Sequence, residues 1–472
     1  MRARLPVAAL AAALAVGSGA VAVAPELRSA PATTPATAEP STPVFSLRRA
    51  PALLTRHVAA GRLRAELDAV LEQPSLGSAR DDTCLAVSDP DGRPLYGRQV
   101  DASLIPASAM KIVTGAVTLA RLGPGSRYVT PVRATGPPED GAVGDLWFVG
   151  SGDPLLATAD FAATDGWLER PRPATPIETL ADRVVEAGVR RVGRLLGDES
   201  RYDTQRYIPT WEPHYATTPE VGPQSALNVN DGFASWRPRV AAASPATNAA
   251  GILAGLLRAR GVTVGTVGEG RAPERTVPVA EIESAPMAEV VGVMMRESDN
   301  LGAELMVKEL GLRFGGGGTT AAGLAVVRST ATELGLDAGP LAASDGSGLD
   351  RRDRLSCGLL QGLLARAPAD GPLFDALPVA GTSGTLVRRF LNTPAVGKVR
   401  AKTGSLNGVV ALAGFATGVD GRPFGFALVA NDLPSEGAGT ALQDRLATVL
   451  TTYPDAPGPE ELAPGPVRPP PG

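Results

Sequence analysis

Histidine, cysteine, aromatic residues and lysine are all scarce in this chain, and each shortage removes a class of chemistry. In 472 residues there are two histidines, His57 and His214, and two cysteines, Cys84 and Cys357. No group of them has metal-ligand spacing, so neither a zinc site nor any other cofactor is expected. Neither histidine has a motif-like neighbourhood, which argues against a Ser-His-Asp hydrolase, although two histidines do not exclude one by number. Aromatic residues make up 4% of the chain, too few for base-stacking platforms. The net charge is -4 and no long basic run occurs, so a nucleic-acid partner is not expected. Of 45 basic residues only Lys111, Lys308, Lys398 and Lys402 are lysine. Arginine cannot be deprotonated in a protein, so a site that needs a basic amine must keep lysine. Codon bias accounts for the excess of arginine but not for where the lysines stand.

One of them stands in Pro106-Ala107-Ser108-Ala109-Met110-Lys111. The apolar residues that follow, Ile112, Val113, Ala116, Val117, Leu119 and Ala120, have the spacing of a buried helix. Pro106 suits the start of its first turn. Ser108 and Lys111 then share one face, about a turn apart. Ser108 falls near the helix N-terminus, where free N–H groups favour developing negative charge. A serine hydroxyl needs a neighbouring base to become a nucleophile, and a lysine whose pKa is lowered by burial or nearby positive charge can be that base. An N-capping serine beside a solvated lysine is the plainer alternative.

With 472 residues the chain should contain two or more domains. Residues 1–24 read as a secretory signal peptide: Arg2 and Arg4, an apolar run from Leu5, then small residues. An uncleaved membrane anchor is the alternative. Either places the mature protein outside the cytoplasm, secreted or associated with the membrane or cell wall through its N-terminus. Residues 25–50, rich in Pro, Ala and Thr, read as a linker, and the Pro-rich tail of 453–472 as disordered. The pattern predicts a helix over His57–Leu71, a hairpin over Cys84–Gln99, and then the Ser108 helix. From about Tyr128 short strand-like runs with Gly and Pro dominate, and residues 131–284 read as a β-rich module inserted into a discontinuous domain of residues 51–130 and 285–452.

Helical texture returns at Met287 and is interrupted by Ser298-Asp299-Asn300. Polar groups wedged between apolar helices need partners; a helix break with an N-cap is the alternative reading. Two glycine loops follow, Ser344–Leu349 and Gly381–Leu386. Val399–Ser405, Val409–Ala416 and Pro423–Ala430 read as three successive antiparallel strands. The first carries Lys402-Thr403-Gly404-Ser405, where Gly404 would let a ligand approach the backbone and Lys402 would supply a fixed positive charge. A lysine guarding a sheet edge is the alternative. Ala438–Thr452 closes the fold as a helix.

Ser108-x-x-Lys111, Ser298-Asp299-Asn300 and Lys402-Thr403-Gly404 stand in the order used by penicillin-binding proteins and serine β-lactamases. The gap of about 190 residues between the first two resembles the D-Ala-D-Ala carboxypeptidase/endopeptidase family of class C low-molecular-mass penicillin-binding proteins, peptidase family S13. Gly152-Asp153-Pro154 through Leu156, Ser225-Ala226-Leu227, Asp345–Leu349 and Lys402–Leu406 are also similar to that family, and the resemblance covers about residues 60–452. It implies an α/β (α+β) transpeptidase fold, an antiparallel sheet flanked by helices with a large inserted module. It implies a serine D-alanyl-D-alanine carboxypeptidase or endopeptidase acting on peptidoglycan stem peptides and acylated by β-lactams. Ser108 would attack the D-Ala-D-Ala carbonyl, with Lys111 as general base. Ser298 would relay the proton to the leaving D-alanine. Asn300 would hold the substrate amide, and Lys402 and Thr403 its carboxylate. Backbone N–H groups of Ser108 and Ser405 would form the oxyanion hole. A β-lactamase or esterase on the same motifs, or a non-catalytic peptidoglycan-binding protein, are the alternatives. No glutamate of the class A deacylating kind is evident: Gln224 has the tempting spacing to Leu227-Asn228, but an amide is no base.

An exported chain with an even cysteine count predicts that Cys84 and Cys357 pair as a disulfide; two buried small hydrophobes are the alternative.

Overall fold

Val409–Thr417 and Pro423–Ala430 are apolar at almost every position, a pattern that only a sheet covered on both faces can accommodate. In the computed structural model, which describes residues 50–164, 172–217, 220–458 and 460–462, these strands lie inside a five-stranded antiparallel sheet. In chain order, helix α1 (Ala50–Leu71) leads into strands β1 (Thr83–Ser88) and β2 (Pro94–Arg98), and a 3-10 turn, Ala107–Ala109, opens α2 (Met110–Leu122). A long excursion follows: β3 (Val129–Ala134), β4 (Ala142–Val149), β5 (Leu156–Ala157), α3 (Ala159–Thr164), β6 (Thr175–Pro176), α4 (Ile177–Glu186), β7 (Arg191–Asp198) and α5 (His214–Thr217). It continues through β8 (Phe233–Trp236), β9 (Arg239–Ala241), α6 (Pro245–Ala259), β10 (Thr263–Glu269) and β11 (Val277–Glu283). The chain then returns as α7 (Met287–Glu297), α8 (Asn300–Phe314), α9 (Thr320–Glu333), α10 (Cys357–Arg366) and α11 (Pro372–Ala376). It ends with β12 (Val399–Leu406), β13 (Val409–Thr417), β14 (Pro423–Ala430) and α12 (Glu436–Thr452).

The first sheet has the order β12-β13-β14-β1-β2. Because side chains alternate across a strand, β1 sends Cys84 and Ala86 to one face and Leu85 and Val87 to the other. The first face packs with α2, α7 and α10 through Ile112, Val113, Val291, Met294 and Leu360. The second is covered by Leu63 and Leu67 of α1 and Leu442 and Leu446 of α12. Cys84 and Cys357 are disulfide-bonded, tying β1 to the start of α10 across the first face.

The excursion has its own sheet, order β10-β7-β4-β3-β11, and its own core. The sequence reading of this stretch as β-rich undercounts helix. The sheet is mixed, with β10, β7 and β4 parallel, and Ile177, Leu180 and Val184 of α4 and Leu253 and Leu257 of α6 pack into its core. Parallel neighbours need crossover connections, which is what these helices supply. The fold is thus α/β, an antiparallel sheet flanked by helices with a large inserted module.

Disorder expected from residue 453 gives way at its start to packing. The Tyr453 ring meets Phe424 edge-on and its carbonyl accepts from Val419 N at 2.9 Å, while the Pro457 carbonyl accepts from Thr55 Oγ1 at 3.0 Å. Proline lacks the N–H but keeps the carbonyl acceptor, which is the group used at Pro457. The signal peptide expected at 1–24, the linker of 25–50 up to residue 49, and the tail beyond 462 lie outside the described residues. No helix among the described residues is long and apolar enough to cross a membrane.

Candidate active site

Ser108 lies in the 3-10 turn that opens α2, and Lys111 stands one turn on, as the sequence spacing predicts. Lys111 is 0% exposed, which excludes a solvated lysine. Its Nζ stands 3.0 Å from Ser108 Oγ, 2.7 Å from Asn300 Oδ1 and 2.8 Å from the Ser347 carbonyl oxygen. Burial lowers its pKa to about 8, against the opposing pull of Asp345, Glu304, Asp299 and Asp353. A neutral Lys111 can donate its two protons to Asn300 Oδ1 and the Ser347 carbonyl, both pure acceptors. Its lone pair is then left for the Ser108 hydroxyl.

The turn carrying Ser108 is set by close packing. Ala107 has φ 46°, a left-handed conformation that costs an L-residue about 1 kcal/mol. A Cβ on Gly348 would fall 1.9 Å from the Ala107 carbonyl oxygen, and one on Gly404 would fall 2.8 Å from the Pro106 carbonyl oxygen. These two glycines let the 345–349 loop and β12 close on the turn from two sides.

Ser298-Asp299-Asn300 is both a helix break and part of the site. Ser298 ends α7 in the left-handed region, at φ 57° and ψ 36°. Asp299 caps α8, its Oδ1 accepting from Gly302 N at 3.0 Å. Asn300 then points one end at Lys111 and donates its Nδ2 to the Glu220 carbonyl at 2.8 Å.

Lys402 is also 0% exposed, and its Nζ donates to Ser298 Oγ at 2.9 Å and to the Thr403 carbonyl at 2.8 Å. Burial first, and then the charge of Lys111, push its pKa well down. Burial thus works against the positive charge expected of Lys402, and an anion bound beside it would favour that charge. Lys402 sits on β12, an edge strand of the sheet, but its side chain is buried in the site instead of standing exposed to guard that edge. Thr403 Oγ1 donates to Thr385 Oγ1 at 3.0 Å, which brings in the Gly381–Leu386 loop. Ser108, Ser298, Asn300, Thr385, Thr403 and Ser405 line one cleft of about 560 Å³. Neither histidine lines it: His57 is on α1 and His214 on α5. Gln224 is fully buried and also outside the cleft, so its spacing to Leu227-Asn228 is a feature of the inserted module's packing.

Sequence reasoning missed the acidic group beneath the site. Glu304 accepts from Ser347 N at 2.8 Å and from Gly346 N at 3.1 Å. Asp345 accepts from Gly348 N at 2.7 Å, Asp350 N at 2.8 Å and Trp211 Nε1 at 2.6 Å. Burial, then the Asp345 charge, raise the Glu304 pKa to about 8. The Asp345 loop was visible as a motif, but nothing local signals Glu304, an ordinary helical residue in sequence. The other surprise is Lys308. It pairs with Asp203 at 2.5 Å, fastening α8 to the inserted module away from the cleft.

A family model, the D-Ala-D-Ala carboxypeptidase 3 (S13) family, matches residues 63–239 and 234–453. A D-alanyl-D-alanine carboxypeptidase from an Actinomadura species is 31% identical over 86% of this chain and 88% of the relative. The carboxypeptidase DacB of Mycolicibacterium smegmatis is 33% identical over 89% of each. The crystal structure of penicillin binding protein 4 from Haemophilus influenzae covers 79% of this chain and 96% of that one, with a TM-score of 0.66 at 19% identity. A match over most of the length, with the same fold, leads to one conclusion: this chain belongs to the D-Ala-D-Ala carboxypeptidase (S13) family.

Proposed function

We propose that Ser108 is the nucleophile of this serine-type D-alanyl-D-alanine carboxypeptidase, acting on peptidoglycan stem peptides through an acyl-serine. The observation that carries this assignment is the 3.0 Å approach of a fully buried amine, Lys111 Nζ, to Ser108 Oγ at the floor of the cleft. Neutral Lys111 takes the hydroxyl proton as Ser108 Oγ attacks the carbonyl of the terminal D-Ala-D-Ala bond. The tetrahedral oxyanion is met by the N–H groups of Ser108 and Ser405. Ser298 Oγ, bonded to Lys402, passes a proton to the departing D-alanine nitrogen. Asn300 holds the substrate amide. Thr403 and Ser405 line the cleft where the terminal carboxylate binds, Gly404 keeps that strand close to the turn, and Lys402 supplies positive charge from behind. Water then hydrolyses the ester.

A β-lactam presents a strained amide and a carboxylate in the same relation, so it acylates Ser108. The same enzyme cuts D-alanyl cross-links if the cleft admits a longer leaving group. Action on peptidoglycan lies outside the cytoplasm. The basic and apolar start of residues 1–24 supports export by a signal peptide, with secretion or envelope attachment through the N-terminus. The domain division at 51–130, 131–284 and 285–452 is supported by the second sheet, whose strands run from Val129 to Glu283.

The test is a fluorescent penicillin incubated with the protein lacking residues 1–24, beside Ser108→Ala. A stable label on the parent that maps to Ser108 and vanishes in the variant is expected. An unlabelled but folded parent overturns the assignment, and a label lost within minutes favours a β-lactamase.

A further inference from the structure

Between the two functional residues of Ser298-Asp299-Asn300 stands a carboxylate whose second oxygen does not serve the cap. Asp299 Oδ2 meets Arg172 Nη2 at 3.1 Å, and Arg172 Nη1 meets Asp231 Oδ2 at 2.6 Å. Both acids and the arginine are nearly closed off from water, with side-chain exposures of 12%, 15% and 8%. Arg172 belongs to the inserted module. Its backbone N–H donates to the Ala162 carbonyl at 2.8 Å, and its guanidinium lies 5.9 Å from the Phe161 ring centroid. Asp231 belongs to the module too, held with φ 56° in the turn before β8. All three residues line the wall of the Ser108 cleft.

We infer that Arg172 is a positioning residue for the acylation reaction: the inserted module uses its guanidinium to hold the Ser298-Asp299-Asn300 turn in register with Ser108 and Lys111. The inference rests on the proposed acyl-serine chemistry. The physical argument concerns what would otherwise fix that turn. Ser298 is in a left-handed conformation that serine rarely adopts, and Asp299 Oδ1 supplies one cap bond. The Asp299 N–H also bonds the Met294 carbonyl at 3.0 Å, but that bond and the cap leave the second carboxylate oxygen free to turn. A planar fork joining Asp299 to Asp231 removes that freedom, and no single-point cation reproduces it. Because Asn300 Oδ1 is an acceptor for Lys111, a shift of the turn moves the group that orients the base. Geometric errors of about 1 Å at such sites cost about 100-fold in rate.

The experiment compares the parent with Arg172→Lys, Arg172→Met and the double variant Arg172→Met/Asp299→Asn. Each is assayed for penicillin acylation rate and for hydrogen exchange of the peptide spanning residues 297–303, below its measured melting temperature. The double variant guards against misfolding: it leaves no unpaired aspartate at position 299, and asparagine still caps the helix. A tenfold or greater fall in acylation rate, faster exchange at 297–303, and unchanged exchange in the second half of α8 are expected for both methionine variants. Arg172→Lys should fall between these and the parent. A merely structural role would lower the melting temperature without altering the acylation rate of the folded fraction, and that result overturns the inference. Parent-like acylation in the folded double variant also overturns it. A parent that takes no penicillin label defeats the acyl-serine reading instead, and exchange then decides: unchanged protection at 297–303 in the variants overturns the tie as well.

Discussion

Lys111 Nζ stands 3.0 Å from Ser108 Oγ, and its two other partners, Asn300 Oδ1 and the Ser347 carbonyl, can only accept. A deprotonated amine in that frame has its lone pair directed at the serine hydroxyl. Lys111→Met is expected to lower the penicillin acylation rate by about 10²–10⁴-fold, the usual contribution of a positioned base. Stopped-flow acylation on a variant shown to be folded checks this, and a loss of less than tenfold removes Lys111 from that role.

The acylation rate should rise with pH through an apparent pKa of about 8. The sign follows from the reacting form, which is the neutral amine: its share grows as pH climbs. At pH 7 an amine of pKa about 8 is neutral about 300 times more often than one at the ordinary 10.5. Stability runs the same way. The folded pKa lies below the unfolded one, so the unfolded chain binds the extra proton between about pH 8 and 10.5, and this residue's penalty on folding shrinks as pH rises across that window. A flat rate profile from pH 6 to 9 would contradict the assignment.

Asp345→Asn should destabilise the protein by about 2–4 kcal/mol. One carboxylate oxygen accepts from Gly348 N and the other from both Asp350 N and Trp211 Nε1. An amide nitrogen placed at either position faces donors, leaving buried groups unpaired. Asp345 also raises the Lys111 pKa, so the pH profile of the surviving activity should move down. Urea unfolding and the acylation profile together read both effects.

Gly404→Ala places a methyl 2.8 Å from the Pro106 carbonyl oxygen and 3.1 Å from both Ala107 Cβ and Ala411 Cβ. The strand and the Ser108 turn must part, at a cost of about 1–3 kcal/mol. Acylation should slow by tenfold or more because Thr403 and Ser405 move with the strand. A variant with parent-like acylation would show that this packing does not govern the site.

Replacing both Cys84 and Cys357 by alanine should cost about 2–4 kcal/mol, since the bond closes a loop across 273 positions. Activity at 25 °C should persist, because the bond lies across the sheet face rather than in the cleft. The midpoint of denaturant unfolding, with and without reductant, measures it.

Much of the site was legible because its parts are local. A helix period around Ser108 and Lys111, a polar break at 298–300 and a strand through Lys402 each appear within a dozen residues, and each element formed where expected. Fidelity fell where a residue's role depended on distant partners. Glu304 reads as one more helical glutamate, yet it organises the backbone of residues 346 and 347. Gln224 reads as a near-match to a catalytic glutamate, yet it is buried away from the cleft. Lys308 and Lys402 look alike in sequence, but one bonds Asp203 and the other Ser298.

What the sequence determined by itself was the inventory: which residues are chemically able to attack, to accept a proton and to hold a carboxylate, and on which kind of element each sits. Side-chain chemistry and backbone periodicity are properties of neighbours in the chain, so they can be read there. Tertiary structure alone decided the electrostatics and the alignment. The Ser347 carbonyl that orients Lys111 lies 236 positions away in sequence, and Arg172 reaches Asp299 across 127. Desolvation and Coulomb interactions depend on distance through space and on exclusion of water. Neither exists until the chain has folded and brought those groups together.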